Sequence, residues 1–302
     1  MSSLPPPRRP VALALMVVAP VLWSMAGVLA RQIQSAGAFE MAFWRSSFAA
    51  VFVFCALLWL QGRRPWHTLH AAGVPGLVSG AMWAVMFTLF IVALTLTTTA
   101  NVLVMSSLGP LFTALLAFFF LSEPIPARAW LAIAAASIGM AAMFGAGFEA
   151  GDTRHLAGMA LALTIPIAGA VNLVVLRRSA AHLDLMPAVM LGAMISAAVT
   201  LPFALPFQAS ARDLLVLASL GVFQLGVPCM LLVLVSRTLT APEIALLALL
   251  EVVLGPLWAW LGAGEVPAVS TLIGGTVVLA SLTANEIASV RSRDSRAAVP
   301  DN

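Results

Sequence analysis

The feature that most constrains the fold of this chain is a series of apolar runs, each about 20 residues long and long enough to span a bilayer as a helix. Polar or Gly/Pro-containing segments separate them. With 62% hydrophobic and 9% charged residues, the chain lacks the charged exterior that a soluble domain needs. The sequence therefore predicts an all-α integral membrane protein. The ten runs are 11–30, 40–61, 72–95, 99–121, 127–147, 156–176, 185–206, 212–236, 242–263 and 267–288.

The arginines predict the orientation of these helices, because cytoplasmic loops of membrane proteins are enriched in positive charge. With ten crossings and a cytoplasmic N-terminus, eleven arginines fall on the cytoplasmic side and three on the opposite side. Both termini are therefore predicted to be cytoplasmic. The eleven are Arg8, Arg9, Arg63, Arg64, Arg128, Arg177, Arg178, Arg237, Arg291, Arg293 and Arg296, and the three are Arg31, Arg154 and Arg212.

Two similar stretches 142 residues apart predict an internal repeat. LGPLFTALLAFFFLSE at 108–123 pairs with LEVVLGPLWAWLGAGE at 250–265. Each half then holds five helices, and because five is odd, the second half enters the membrane with opposite polarity, as in many secondary transporters. The predicted organisation is a cytoplasmic N-terminal segment 1–10, a first five-helix repeat 11–147, a second five-helix repeat 156–288, and a disordered cytoplasmic tail 289–302.

The residue types exclude several classes of function. The chain contains no lysine, so it has neither the Walker A lysine of an ATP-driven pump nor a Schiff-base amine. It has no GxSxG or HExxH motif, and the sequence predicts no enzyme, no metal site and no cofactor. Cys55 and Cys229 are expected to be small hydrophobic residues within helices. Because the arginines are scattered between apolar runs, no nucleic-acid partner is expected.

Several longer motifs carry a resemblance to a known family of membrane proteins. They are APVLWSMAGVLAR in the first helix, AFWR at the start of the second, ANVLVMSSLGPLFTALLAFFFLSEP across the fourth, and EVVLGPLWAWLGAGEVP followed by TLIGGTVVLAS in the last two. With these motifs the chain resembles the drug/metabolite transporter superfamily, in its ten-helix EamA-type branch. The resemblance implies a carrier in the bacterial inner membrane that is similar to exporters of neutral or aromatic amino acids, with a small molecule and the lipid bilayer as partners. The second half departs from the first at Val252, which stands where the first has Pro110.

Glu251 is a carboxylate in the middle of the ninth apolar run. A charge at the bilayer centre costs about 3 kcal/mol on insertion scales, so a neighbour inside the bundle has to offset that cost. Position 251 corresponds to Gly109 in the first repeat, and both belong to stripes of small or polar residues at helical spacing. Two interpretations of Glu251 remain open. It is either a protonated or hydrogen-bonded structural carboxyl, or a site for proton coupling or for a substrate ammonium group.

Arg45 lies inside the second helix, five residues after Glu40. Because a guanidinium is effectively never neutral, Arg45 is expected either to form a structural ion pair with Glu40 or to anchor a substrate carboxylate. Other polar, aromatic and small residues at middle depth either bond neighbouring helices or line a cavity. The predicted cavity residues are Trp23, Ser24, Trp83, Asn101, Met105, Asn172, Gln224, Glu251 and Trp258. The predicted hinges for alternating access are Pro20, Pro166 and Pro228.

The function favoured by these features is that of a secondary transporter that exports small amphipathic metabolites by alternating access. A wall of Trp, Met and Phe with few hydrogen-bonding groups suits a neutral or aromatic amino acid better than a sugar phosphate, which calls for several inward cations. The alternative is a drug or cation efflux carrier that uses Glu251 for proton coupling. A scaffold that transports nothing is a further alternative.

Overall fold

The computed structural model of the chain is helical apart from short turns, as the apolar runs predict. It describes residues 5–61, 65–97, 99–106, 108–122, 125–144, 153–263 and 269–297. The α-helices are α1 (Arg9–Ser24), α2 (Ala26–Ala30), α3 (Ala38–Gln61), α4 (Pro65–Ala71), α5 (Gly73–Leu96), α6 (Thr99–Ser106), α7 (Gly109–Leu121), α8 (Ala127–Phe144), α9 (Thr153–Ser179), α10 (Met186–Ala204), α11 (Ala211–Ser219), α12 (Val227–Val235), α13 (Ala241–Ala248), α14 (Leu250–Ala263) and α15 (Val269–Ala297). A π-helical segment, Leu220–Gly226, joins α11 to α12.

Many of these helices are apolar enough to cross a membrane. In the described ranges, six helical segments qualify by length and composition: Arg9–Ala30, Ala38–Leu60, Gly73–Leu96, Thr153–Ser179, Met186–Ala204 and Ala211–Val235. Shorter apolar helices cover Gly109–Leu121, Ala127–Ala142 and Leu272–Asn285. The chain is thus a multi-pass membrane protein. A total of ten crossings, arranged as inverted repeats, stays a prediction.

Several predicted spans are not single helices. The first is interrupted at Met25, the fourth divides into α6 and α7 around Leu108, and the ninth divides into α13 and α14 at Leu249. α6 ends at Ser106 and α13 ends at Ala248, 142 residues later. Two of the interruptions therefore fall within one residue of positions that the predicted repeat makes equivalent.

The end of α15 and the segment that follows α3 also differ from the sequence prediction. α15 continues through Ala297, so residues 289–297 are helical where a disordered tail is predicted. This stretch contains no glycine or proline before Pro300, and nothing in it ends the helix. The short helix α4, which follows α3, lies in a segment that the sequence leaves as a loop. Residues 1–4 and 298–302 lie outside the described ranges.

Ion pairs join the chain segments at one end of the bundle. Arg9, at the start of α1, donates from Nη1 and Nη2 to the two carboxylate oxygens of Glu243 on α13 at 3.2 and 3.0 Å. Arg237, which follows α12, pairs with Asp184, which precedes α10, at 3.0 Å. This end therefore brings together segments that the arginine pattern predicts to be cytoplasmic.

The opposite end is held by a carboxylate that binds backbone N–H groups. Asp213 in the first turn of α11 accepts from the N–H groups of Gln34 and Ser35 at 3.1 Å each. The same carboxylate forms a capping box with Ser210. The connection between α2 and α3 is thereby fixed to the start of α11, at the end of the bundle where the sequence predicts the extracytoplasmic loops.

Glycines allow the central helices to approach closely. A Cβ atom at Gly192 of α10 would overlap the Cβ of Trp83 and lie 2.9 Å from the carbonyl oxygen of Gly80 on α5. A Cβ at Gly221 in the π-helical segment would lie 2.6 Å from the carbonyl oxygen of Arg45 on α3. In lipid, such small residues are the usual means by which helix backbones come into contact. These contacts fix α3, α5, α10 and the π-helical segment around the middle of the bundle.

We expect Gly192→Ala to destabilise the protein by about 1–3 kcal/mol, because the added methyl group meets backbone and Cβ atoms that cannot rotate away. Gly27→Ala is the matched control, since no atom lies within 4 Å of a Cβ at that position. Thermal unfolding of detergent-purified protein, followed by intrinsic fluorescence, measures both. Equal melting temperatures for the two variants would show that α5 and α10 do not meet at Gly192.

Candidate functional site

A cavity of about 300 Å³ lies at middle depth in the bundle. Its wall receives residues from α1, α2, α3, α5, α6, α7, α9, α12, α13, α14 and the π-helical segment. Most of that wall is apolar, with the rings of Trp23, Trp83, Phe87 and Phe90 and the thioether of Met86. A volume of this size fits a small molecule. The cavity is therefore the candidate functional site.

The structure brings some of the predicted cavity residues together at this wall and places others elsewhere. The predicted residues that line it are Trp23, Trp83, Asn172, Gln224 and Glu251. Arg45, one of whose predicted roles is to anchor a carboxylate, lines it as well. Ser24, Asn101, Met105 and Trp258 are not among its lining residues.

Ser24 and Trp258 join two helices instead of facing the cavity. The Trp258 indole N–H donates to the Ser24 hydroxyl oxygen at 2.8 Å, and that hydroxyl donates to the carbonyl oxygen of Val21 at 2.7 Å. The pair ties α14 to the end of α1. Both polar groups are satisfied by this contact, which is the structural role that the sequence leaves open for such residues.

Asn101 and Met105 lie on α6, which packs against α8 and α9. The amide of Asn101 donates to the Thr97 hydroxyl at 2.7 Å, and Met105 packs against a cluster that contains Ala93 and Val102. The stripe prediction treats 99–121 as one straight helix. The chain turns between α6 and α7, and the described residues of this segment that line the cavity begin at Ser106.

The predicted ion pair between Arg45 and Glu40 is not formed. Glu40 accepts the backbone N–H groups of Gln208 and Ala209 at 2.9–3.0 Å, whereas Arg45 donates from Nη2 to the carbonyl oxygen of Phe87 at 3.1 Å. A separation of five residues places two side chains about 140° apart around a helix of 3.6 residues per turn. The spacing therefore directs Glu40 to the loop before α11 and Arg45 to the interior.

Arg45 is a buried cation without an acidic partner in the described part of the chain. The residue is 7% exposed, and its Nε–H has no hydrogen-bond acceptor. A guanidinium has five N–H donors, and the Phe87 carbonyl satisfies one of them. Gly221 allows the π-helical segment to pack directly on the backbone of Arg45. Close packing thus holds this charge at the cavity wall.

Glu251 lies at the cavity wall in the first turn of α14. Among the described residues we find no hydrogen bond or ion pair to its carboxylate. The Cys229 thiol also lines the cavity. Glu251 therefore differs from Glu40, Asp213 and Glu243, whose carboxylates bind protein groups.

Two neutral polar groups at the wall are also buried without partners. They are the indole N–H of Trp83 on α5 and the Oε1 atom of Gln224 in the π-helical segment. Asn172 differs, because its Oδ1 accepts the Ser79 hydroxyl at 2.7 Å. A π-helical turn within an α-helix frequently accompanies a functional site. Here it carries Gln224 to the cavity.

Sequence reasoning missed the part of the wall that α5 contributes beyond Trp83. Met86, Phe87 and Phe90 follow Trp83 at helical spacings of three or four residues and line the cavity with it. The signal was present as an i, i+3, i+4, i+7 pattern of aromatic and thioether side chains. In a helix that is apolar all round, this pattern does not distinguish a cavity face from a lipid face.

The predicted hinge prolines occupy three different settings. Pro166 is buried within α9 and lines the cavity, while Pro20 is buried within α1, five residues before the interruption at Met25. Pro228 lies in the first turn of α12, directly after the π-helical segment. Each proline therefore lies at or near an irregularity or the cavity. Within the described ranges, no group of three or more His, Cys, Asp or Glu side chains is placed to hold a metal ion.

Comparisons with known proteins relate the chain to membrane transporters. Residues 10–145 match the model of the EamA-like transporter family, which covers just under half of the chain. The members of this family are transporters, not enzymes. A solved crystal structure of a protein matches 95% of this chain and 99% of its own, with a TM-score of 0.77 and 18% sequence identity. At that identity the likeness concerns the fold alone. No curated protein matches the chain in sequence.

We expect a cysteine at Gly109 to react with a small water-soluble thiol reagent at least about tenfold faster than a cysteine at Ala114 on the same helix. A Cβ at Gly109 would meet only the Cβ of Pro166, at 3.7 Å, and points into the cavity, whereas Ala114 is 0% exposed within packed side chains. Cys55→Ala and Cys229→Ala provide the background, and mass spectrometry measures the labelling. Equal labelling at both positions would contradict an accessible cavity at Gly109.

Proposed function

We propose that this protein is a secondary transporter that exports small amphipathic metabolites, with neutral or aromatic amino acids as the substrate class, by alternating access. The observation that carries the proposal is the cavity at middle depth, where apolar walls surround polar groups that have no protein partner. A buried polar group without a partner is costly, and folded proteins satisfy nearly all of them. Groups left unsatisfied around a cavity are therefore expected to bind a ligand. This counts against a scaffold.

The topology of the proposal is ten crossings in two inverted repeats, with both termini on the cytoplasmic side of a bacterial inner membrane. The offset between the interruptions α6/α7 and α13/α14 agrees with that of the two similar stretches to within one residue, which supports the repeat. The gathering of Arg9, Arg177 and Arg237 at one end of the bundle supports the orientation, because positive charge marks the cytoplasmic side. The match of residues 10–145 supports transport of small molecules.

The charges of the cavity support the substrate class. Among the residues that the structure describes, Arg45 and Glu251 are the lining residues with charged side chains. A sugar phosphate or another multiply charged anion would be expected to meet several cations, and the wall carries one. A lipophilic cation would meet Glu251 but would leave the Arg45 guanidinium without a counter-charge. A molecule of low net charge with an apolar body fits this wall better than either.

At the end of the bundle that carries Arg9, packed apolar side chains separate the cavity from the predicted cytoplasmic side. In alternating access, these side chains have to move apart before substrate can pass. Met16, Val235, Leu239 and Ile244 belong to one fully buried apolar cluster at that end. Ile244 also lines the cavity, so the cluster is the cavity floor. The Arg9–Glu243 ion pair lies beyond it. For substrate to enter from the predicted cytoplasmic side, α1 and α13 have to separate there.

Transport by purified protein in liposomes tests the proposed function. We expect uptake of at least one labelled neutral or aromatic amino acid, and we expect Gly109→Leu to lower that flux at least about tenfold by filling the cavity while leaving the fold intact. Gly27→Leu, outside the cavity, is the matched control and is expected to transport as the wild type does. The absence of flux for all of the common amino acids would reject this function.

Efflux of drugs or cations with Glu251 as the proton carrier is the second function that the sequence predicts, and the same liposomes distinguish it. Because a cation would leave Arg45 without a counter-charge, we expect no uptake of tetraphenylphosphonium driven by a pH gradient. The Glu251→Gln variant serves as the control. Uptake of the cation by the wild type that is lost in Glu251→Gln would instead assign a proton-coupled efflux function.

A further inference from the structure

We propose that the cavity binds its substrate as a zwitterion, with the substrate carboxylate at Arg45 and the substrate ammonium group at Glu251. This inference rests on the proposed function and adds the orientation of the substrate and the residues that recognise each of its ends. It identifies the ligand class as α-amino acids or molecules with the same pair of charges.

The charges of the wall match a zwitterion in number and sign. Within the described ranges, the charged side chains that line the cavity are Arg45 on α3 and Glu251 on α14, one of each sign. In the part of the chain that the structure describes, they form no ion pair with each other or with a third residue. At the end of the bundle, by contrast, Arg9 pairs with Glu243 and Arg237 pairs with Asp184.

Leaving both charges uncompensated in the interior is unfavourable. Arg45 is 7% exposed and has one protein acceptor, a neutral carbonyl oxygen. A buried charge that lacks its partner is strongly destabilising, whereas an ion pair with good hydrogen bonds offsets much of that cost. A ligand with one carboxylate and one ammonium group supplies both missing counter-charges without adding net charge to the cavity. An amine or a simple carboxylic acid supplies only one of them.

The unsatisfied polar groups of the wall, charged and neutral together, include both donors and acceptors. The buried donors without partners are Arg45 Nε and Trp83 Nε1, and a carboxylate accepts from such groups. The acceptors are the carboxylate of Glu251 and Oε1 of Gln224, and an ammonium group donates to both. Between these polar groups the wall consists of rings and aliphatic side chains. That part of the wall is available for the apolar side chain of the substrate.

Binding measurements with matched analogues test the two ends separately. The first series is L-phenylalanine, phenethylamine, which lacks the carboxylate, and 3-phenylpropionate, which lacks the ammonium group. The second is L-leucine with isopentylamine and 4-methylpentanoate. Isothermal titration calorimetry on the purified full-length protein gives the dissociation constants. We expect the wild type to bind the amino acid of at least one series about tenfold or more tightly than either of its analogues.

Each variant is expected to affect only the ligands that carry the matching charge. Arg45→Gln should raise the dissociation constants of the amino acid and the acid about tenfold or more, and should change that of the amine less than about threefold. Glu251→Gln should raise the dissociation constants of the amino acid and the amine by a similar factor and leave that of the acid nearly unchanged. Arg212→Gln, at an exposed arginine outside the cavity, is the control and should change none. Equal weakening of all three ligands by either variant, or the reverse pairing of variant and analogue, would overturn the proposal.

The design remains decisive if one variant does not fold. Should Arg45→Gln fail to elute as a single species in size-exclusion chromatography, Arg45→Lys keeps the charge and is expected to preserve the preference for the acid at lower affinity, because an ammonium group lacks the planar fork of a guanidinium. Loss of that preference in folded Arg45→Lys overturns the proposal. Liposome flux separates this result from the proposed function. Flux with no analogue selectivity removes the zwitterion site and leaves the transporter, whereas selective binding without flux keeps the site and removes transport.

Discussion

Close contact between helix backbones is the constraint on which the rest of this structure depends. Lipid tails are as apolar as the side chains that face them, so helices in a bilayer gain little from apolar burial alone. Glycines supply the contact here, at Gly192 against α5, at Gly221 against α3 and at Gly139, where a Cβ would lie 2.8 Å from the carbonyl oxygen of Gly274. The large residues Trp83 and Arg45 lie at two of these contacts. Their position at the cavity is a consequence of the packing beside them.

The cavity and the ends of the bundle use acidic residues in different ways. Glu243, Asp213 and Glu40 each bind an arginine or backbone N–H groups, and each connects segments that are distant in sequence. Glu251 has no comparable contact among the described residues. The same contrast separates Arg9 from Arg45. The charged side chains that connect segments of the fold, such as Arg9 and Glu243, are therefore located at the ends of the bundle. Arg45 and Glu251, which form no ion pair among the described residues, are located at the cavity.

Much of the fold follows from the sequence, because apolar length and arginine placement are properties of whole segments. The helical class, the approximate spans and the grouping of Arg9, Arg177 and Arg237 at one end depend only on such averages. The interruptions at Met25, Leu108 and Leu249 do not, because they arise where a few residues change the direction of the chain. They were invisible to a hydropathy pattern, and so was the π-helical turn.

The candidate site was predictable in part for the same reason. The sequence predicted Trp83, Gln224 and Glu251 as cavity residues, and all three line the cavity. A polar or amphipathic side chain at middle depth is unusual whatever its direction, so this prediction did not depend on the angle around the helix. For side chains whose role depends on direction, the sequence left two roles open. Trp258 meets Ser24 outside the cavity, and Arg45 turns away from Glu40, because both outcomes depend on angles around a helix axis. For Arg45 the angle was available from the spacing alone.

The segment formed by α1, α2 and the connection after them is fastened at both of its ends. Arg9 binds Glu243 at the start, and the N–H groups of Gln34 and Ser35 bind Asp213 at the far end. A segment attached at two points cannot slide along its own axis when the surrounding helices move, so it has to bend or release one attachment. The interruption at Met25 divides it between those points, and the Trp23 side chain beside the interruption lies at the cavity wall. Any change in the tilt of α1 therefore also changes the shape of the cavity beside Trp23.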